Sequence, residues 1–141
     1  MKSKDFALLV LRVVAGAMLI VFHGWGKLNS AVAYFLHAQE WGFLKGVSGL
    51  GFPYPVFFAS CSVLAETIGS LFLILGLFTR YAALLLVINM SVAIYRHLTS
   101  DFRYELAAMY GVIALTFVFL HPGSFSLDAR VRKTTNRNSY S

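Results

Sequence analysis

Four stretches of the chain are almost continuously apolar, at about 6–22, 56–78, 81–98 and 105–120. Charged and turn-forming residues collect between them. At about 1.5 Å per residue each can cross a hydrocarbon core of roughly 30 Å as a helix, the first and last near the short limit. Every backbone polar group in lipid needs an internal partner, so helices are the expected form, and no ten-residue alternation suggests a barrel. The pattern predicts an all-α membrane protein, an antiparallel four-transmembrane-helix bundle with a long first outer loop. Phe78-Thr79-Arg80-Tyr81 is too short a link to leave the second and third spans anything but antiparallel neighbours.

The long loop covers 24–55 and contains Trp25, Trp41, Gly42, Gly46, Gly49, Gly51, Pro53 and Pro55. Such a loop is either a functional lid or an interfacial re-entrant segment, and residues 34–44 are expected to form a short helix on the outer surface. The membrane domain is expected to occupy 1–128. Residues 129–141 form a polar, basic, flexible tail beside anionic lipid.

Composition sharpens this picture. The chain has 141 residues, enough for one domain, and 58% of them are hydrophobic while 13% are charged. Ordinary soluble domains are about 45–50% apolar and about 25% charged. With a mean hydropathy of +0.70, the chain has more apolar surface than a soluble domain of this size can bury, and the same excess excludes disorder. The formal charge of +6 comes from loop edges and chain ends and predicts no nucleic-acid partner. One cysteine, Cys61, excludes an intramolecular disulfide and a Cys-rich metal centre, and is expected as a small core residue. Met1-Lys2-Ser3-Lys4 with the apolar run behind it resembles a secretory signal, but Arg12 interrupts that run, so a retained first helix is expected.

Lys and Arg also predict orientation. Lys2, Lys4, Arg80, Arg130, Arg132, Lys133 and Arg137 fall on one side, and Lys27, Lys45, Arg96 and Arg103 on the other. Seven against four places both termini in the cytoplasm of a bacterial inner membrane.

Polar groups at membrane depth are costly and usually face the bundle interior. Arg12, Glu66 and Asn89 are the three inside the spans. Glu66 lies mid-span and shares a helix face with the small residues Ser62 and Gly69, so it points inward. Arg12 lies roughly 9 Å away along the axis, within reach of two long side chains, which predicts an Arg12–Glu66 ion pair. Such a pair either fixes helix register or holds a protonatable, ligand-binding carboxylate. Arg12, Gly16, His23 and Lys27 share about a third of the first helix's circumference. With Arg96, His97 and Glu105 they would ring the mouth of a cavity floored by Glu66, suited to a quinone headgroup or a small anion; ordinary interfacial charge at helix ends is the alternative reading. The histidines sit where a haem would be poorly buried, His37 lies in the loop, and His121 falls on the opposite side. No metal site is predicted.

Further residues resemble a known family. Arg12-x3-Gly16 is followed by His23-Gly24-x-x-Lys27-Leu28, then Ala65-Glu66-x2-Gly69 leading to Leu75-Gly76-Leu77-Phe78-Thr79-Arg80. Tyr104-Glu105 and Pro122-Gly123-x-Phe125-Ser126-Leu127-Asp128 complete the series. Their order and spacing over about 8–128 resemble the DoxX family of small four-helix membrane proteins. Two departures are Tyr81, where members often carry Pro, and Leu120-His121-Pro122-Gly123 in place of a Gly-Pro-Gly-like turn. The family is named after a subunit associated with a thiosulfate:quinone oxidoreductase, and distant animal relatives act as assembly factors. The resemblance implies a membrane subunit of a quinone-linked redox system, working with other membrane or redox proteins or a second copy. Glu66 and Arg12 would position or protonate the headgroup, His23 and Lys27 would gate it, and Asn89, His97 and Glu105 would complete the site. A non-enzymatic scaffold or assembly factor is the main competitor, and a carrier would require oligomers to enclose a pore.

Overall fold

A computed structural model of the protein describes residues 3–138. Lys2 in the charge count and residues 139–141 of the expected tail lie outside the described residues. No strand occurs among the described residues, and three helices are long and apolar enough to cross a membrane: Ser3–His37, Pro55–Leu75 and Thr79–Ser100. The fourth apolar helix, α7 (Glu105–Phe119), is shorter.

The first helix is longer than its apolar run suggests. It passes without a break through α1 (Ser3–Met18), a π-helical turn at Leu19–Gly24 and α2 (Trp25–His37), ending only at Ala38, which adopts a left-handed conformation with φ 51°. The expected loop therefore loses its first half to helix. Gly24-Trp25-Gly26 reads as a break because each glycine disfavours helix by about 1 kcal/mol. Gly24 is instead a contact point, where a methyl group would lie 2.9 Å from Thr67 Cγ2 and 3.2 Å from the Glu66 carbonyl oxygen. Close interhelical packing outweighs the local propensity. The surface helix expected over 34–44 is likewise redistributed, since Tyr34 belongs to α2 and α3 covers Gly42–Ser48.

The second long helix begins with Pro55 at its first position, where a missing N–H does no harm. It runs through α4 (Pro55–Leu64), a second π turn at Ala65–Gly69, and α5 (Ser70–Leu75). Gly76 ends it three residues before the sequence pattern does, at φ +67°, with the Leu77 N–H donating to Phe72 O at 3.0 Å. Such a left-handed cap favours glycine. α6 (Thr79–Ser100) packs chiefly on α7, and Ala83, Leu86 and Met90 meet Ala107, Tyr110, Ala114 and Phe117 in one core. A second core, of Ala31, Trp41, Val47, Ala59 and Val63, fastens α3 across α2 and α4. Large apolar side chains such as Phe22, Phe57, Tyr81 and Phe119 face outward. That is the surface of a helix bundle whose solvent is lipid.

The end of the chain folds back onto α1 and the α5–α6 turn. Arg12 is buried, and its Nη1 and Nη2 donate to Pro122 O and Phe125 O, both at 2.9 Å. The expected Arg12–Glu66 pair does not form. Gly76, lacking a Cβ, leaves the niche that the guanidinium fills, and the carboxylate oxygens of Glu66 are taken by other donors. Ser126 caps α8 (Leu127–Asn138) by accepting from Ala129 N at 3.1 Å, so the basic tail begins as a helix. From that helix Asp128 accepts from Phe78 N at 2.8 Å, Thr79 N at 2.9 Å and Thr79 Oγ1 at 2.7 Å, capping α6. Asp128→Ala is expected to destabilise the protein by about 1–2 kcal/mol, the usual loss of a good helix cap. A detergent melting curve checks this, and an unchanged midpoint would show that the cap contributes nothing.

Candidate functional site

The two π turns pack against each other and bring the polar stripe of the first helix to the middle of the second. A π turn inserts one extra residue and rotates the next stretch of helix, and such turns often occur at functional sites. Glu66 is 2% exposed. Lys27 Nζ donates to both its oxygens, at 2.6 and 2.8 Å, and Asn89 Nδ2 donates to Oε1 at 2.9 Å. The carboxylate is thereby paired and hydrogen-bonded, the condition under which a charge can stay buried. Lys27 Nζ also lies 4.5 Å from the ring centroid of Phe43 in α3, a cation–π contact. His23, one helical turn before Lys27, meets Tyr110 of α7 edge-on with ring centroids 5.8 Å apart.

These groups form one end of a cavity of about 730 Å³, a volume typical of small-molecule sites. Leu19, Phe58, Val92 and Leu106 supply apolar wall, while Arg96, His97, Arg103 and Glu105 stand where α6 ends and α7 begins. Cys61, Leu85, Ile88 and Leu106 line the cavity and are exposed. The cavity thus also opens sideways, beside the outward apolar faces of α4 and α6. His97 Nδ1 lies 2.7 Å from Asp101 Oδ1, and this contact holds the Asp101 carboxyl below its ordinary range.

Of the residues singled out from the sequence, the cavity gathers Glu66, His23, Lys27, Asn89, His97 and Glu105, with Arg96. Arg12 lines no part of it. Lys27, expected as a gate, is the partner of Glu66. Cys61, expected in the core, is exposed on the cavity wall. Tyr110, Arg103 and Phe43 carry no polar-in-span signal and are not expected from sequence; only the folding of α3, α7 and the link before α7 brings them in. Among the described residues, no group of three or more His, Cys, Asp or Glu side chains converges to hold a metal ion.

The geometry can be set beside known proteins. A sequence model described as DoxX matches residues 7–98, a stretch that contains Lys27, Glu66 and Asn89. A Haemophilus influenzae protein described as uncharacterized is 38% identical over a region covering 48% of this chain. That region is 58% of the relative's own length, so the match spans less than two thirds of it. No solved structure matches.

Proposed function

This chain belongs to the DoxX family, and from that premise we propose that it is an inner-membrane subunit of a quinone-linked redox system. In this reading α7 joins the three longer helices as a fourth span of an antiparallel bundle, both termini lie in the cytoplasm, and thinning of the bilayer accommodates the 15 residues of α7. The observation that carries the proposal is a buried Glu66 held by the partly buried Lys27 and Asn89 at one end of an apolar cavity that opens toward lipid. A quinone fits this donor set: Lys27 and Asn89 offer N–H groups to a carbonyl oxygen, Glu66 offers an acceptor to a hydroxyl, and the walls suit a ring and an isoprenoid tail. A bound quinone supplies two-electron, two-proton chemistry. The chain's own residues orient the headgroup, exclude water and hold a proton at Glu66, and a partner redox protein delivers or removes the electrons. Arg12, held at the chain's end, takes no part.

The test is extraction of quinone from the protein purified in lipid nanodiscs, with Glu66→Gln beside the unaltered chain. Near-stoichiometric quinone in the unaltered protein and a loss of about tenfold or more in the variant are expected, the usual effect of removing a hydrogen bond to a charged group. Equal quinone in both, or none in either, would overturn the reading. The second reading is a scaffold, favoured by the Arg12 and Asp128 contacts, which tie the returning chain to α1 and α6. It predicts that Glu66→Gln lowers abundance without changing what copurifies.

A further inference from the structure

The cavity holds charge that the quinone reading does not use. Arg96 lies near the end of α6, partly buried, with its guanidinium under α3. A methyl group on Gly46 would sit 3.1 Å from its Nη2 and 3.2 Å from its Nε, so the glycine lets the helix close over the guanidinium. Arg103 lines the same mouth. Lys27 is neutralised by Glu66, whereas among the described residues neither arginine side chain has an ion pair or a hydrogen-bond acceptor. Glu105 lines the cavity too and pairs with neither.

The mouth therefore carries two guanidinium groups without an ion pair among the described residues, Arg96 partly buried and Arg103 exposed. Leu106 follows close after Arg103, and Ile88 and Leu85 lie about two and three helical turns below Arg96 along α6; all three are both cavity wall and outer surface. A partly buried cation next to hydrocarbon is costly without a counter-ion. The planar fork of arginine matches the oxygens of a phosphate. Charge with an apolar wall leading away from it along α6 is complementary to an amphiphile, where a free ion would use only the charge. We propose that this mouth binds the phosphate head of an anionic membrane phospholipid, with one acyl chain lying along Leu85, Ile88 and Leu106. The site goes beyond the quinone reading, and its phosphate end uses none of the groups that hold the quinone headgroup at the Glu66 end.

Native mass spectrometry of the full chain in a neutral detergent tests it, with phosphatidylglycerol and phosphatidylcholine of the same chains titrated separately. The unaltered protein is expected to prefer phosphatidylglycerol by about tenfold or more. Arg96→Gln with Arg103→Gln is expected to lower that affinity roughly thirtyfold, the loss of two attractions of the strength a basic side chain has for an anionic membrane, and to lower phosphatidylcholine binding less, because its choline offsets the phosphate charge. Arg80→Gln, at the other end of α6, is expected to change neither. Equal binding of the two lipids by the unaltered protein overturns the proposal without any variant having to fold. So does undiminished phosphatidylglycerol binding by the double variant. Competition by glycerol phosphate at the concentrations where the lipid saturates would replace the lipid by a free phosphate and overturn it as well. Glu66→Gln is expected to keep phosphatidylglycerol while losing quinone, so failure of one reading is visible apart from failure of the other.

Discussion

Gly76→Ala is expected to destabilise the protein by at least about 4 kcal/mol. The residue sits at φ +67°, and an L side chain in the left-handed region costs roughly 1–2 kcal/mol. The added methyl would also overlap the Arg12 guanidinium and lie 2.5 Å from Ser126 Cβ. Arg12 would have to leave its niche, abandoning Pro122 O and Phe125 O, and each hydrogen bond from a charged donor is worth about 1.5–3 kcal/mol. Total stability is commonly only about 5–15 kcal/mol, so little folded protein should survive moderate heating. Arg12→Gln alone should cost about 3 kcal/mol or more for the same lost bonds. In that background Gly76→Ala should cost less, its backbone strain and the Ser126 overlap without the loss of the Arg12 hydrogen bonds. Unfolding curves of the two single variants and the double variant check this. Additive losses would show that Gly76 and Arg12 act separately.

Lys27→Met should cost about 3 kcal/mol, and adding Glu66→Gln should restore much of the loss. Removing one member of a buried ion pair leaves the other charge without compensation, typically at about 3–5 kcal/mol. The lower end applies because a quarter of the Lys27 side chain is exposed. In the double variant the introduced glutamine carries no charge to strand, and Asn89 can still donate to its amide oxygen. A double-mutant cycle in detergent micelles, read by denaturant unfolding, gives the coupling directly. Zero coupling would mean that the 2.6 Å contact carries no net energy. A double variant that folds well yet holds no quinone would separate the stabilising role of the pair from its proposed ligand role.

The site is partly legible without any coordinates. Glu66 stands out because a carboxylate in a long apolar stretch has no short route to water, and its small neighbours Ser62 and Gly69 mark the inward face. His23, Lys27, Asn89, His97 and Glu105 stand out beside it and do share the cavity. The partner of Glu66 is not legible. Axial offset favours Arg12, but offset counts rise along a helix and says nothing about which acceptors the rest of the chain brings. Pro122 and Phe125 lie 110 and 113 residues further on, and no local pattern connects them to Arg12. The length of the first helix is hidden for a related reason, since Gly24 looks like a break until the Glu66 backbone is packed against it.

Sequence by itself determined that the chain is helical and belongs in a membrane, where the apolar runs lie, and which polar groups they bury. These properties come from transfer free energies and backbone hydrogen bonding, which act residue by residue along the chain. Only the tertiary structure decided which buried charge meets which. It placed Lys27 on Glu66, sent Arg12 to the carbonyls of the returning chain, and left Arg96 and Arg103 lining the cavity without an ion pair among the described residues. Pairing depends on distances of a few ångströms between residues far apart in sequence, and those are set by two π turns and by tightly packed glycines such as Gly24 and Gly76 whose effects are felt across helices.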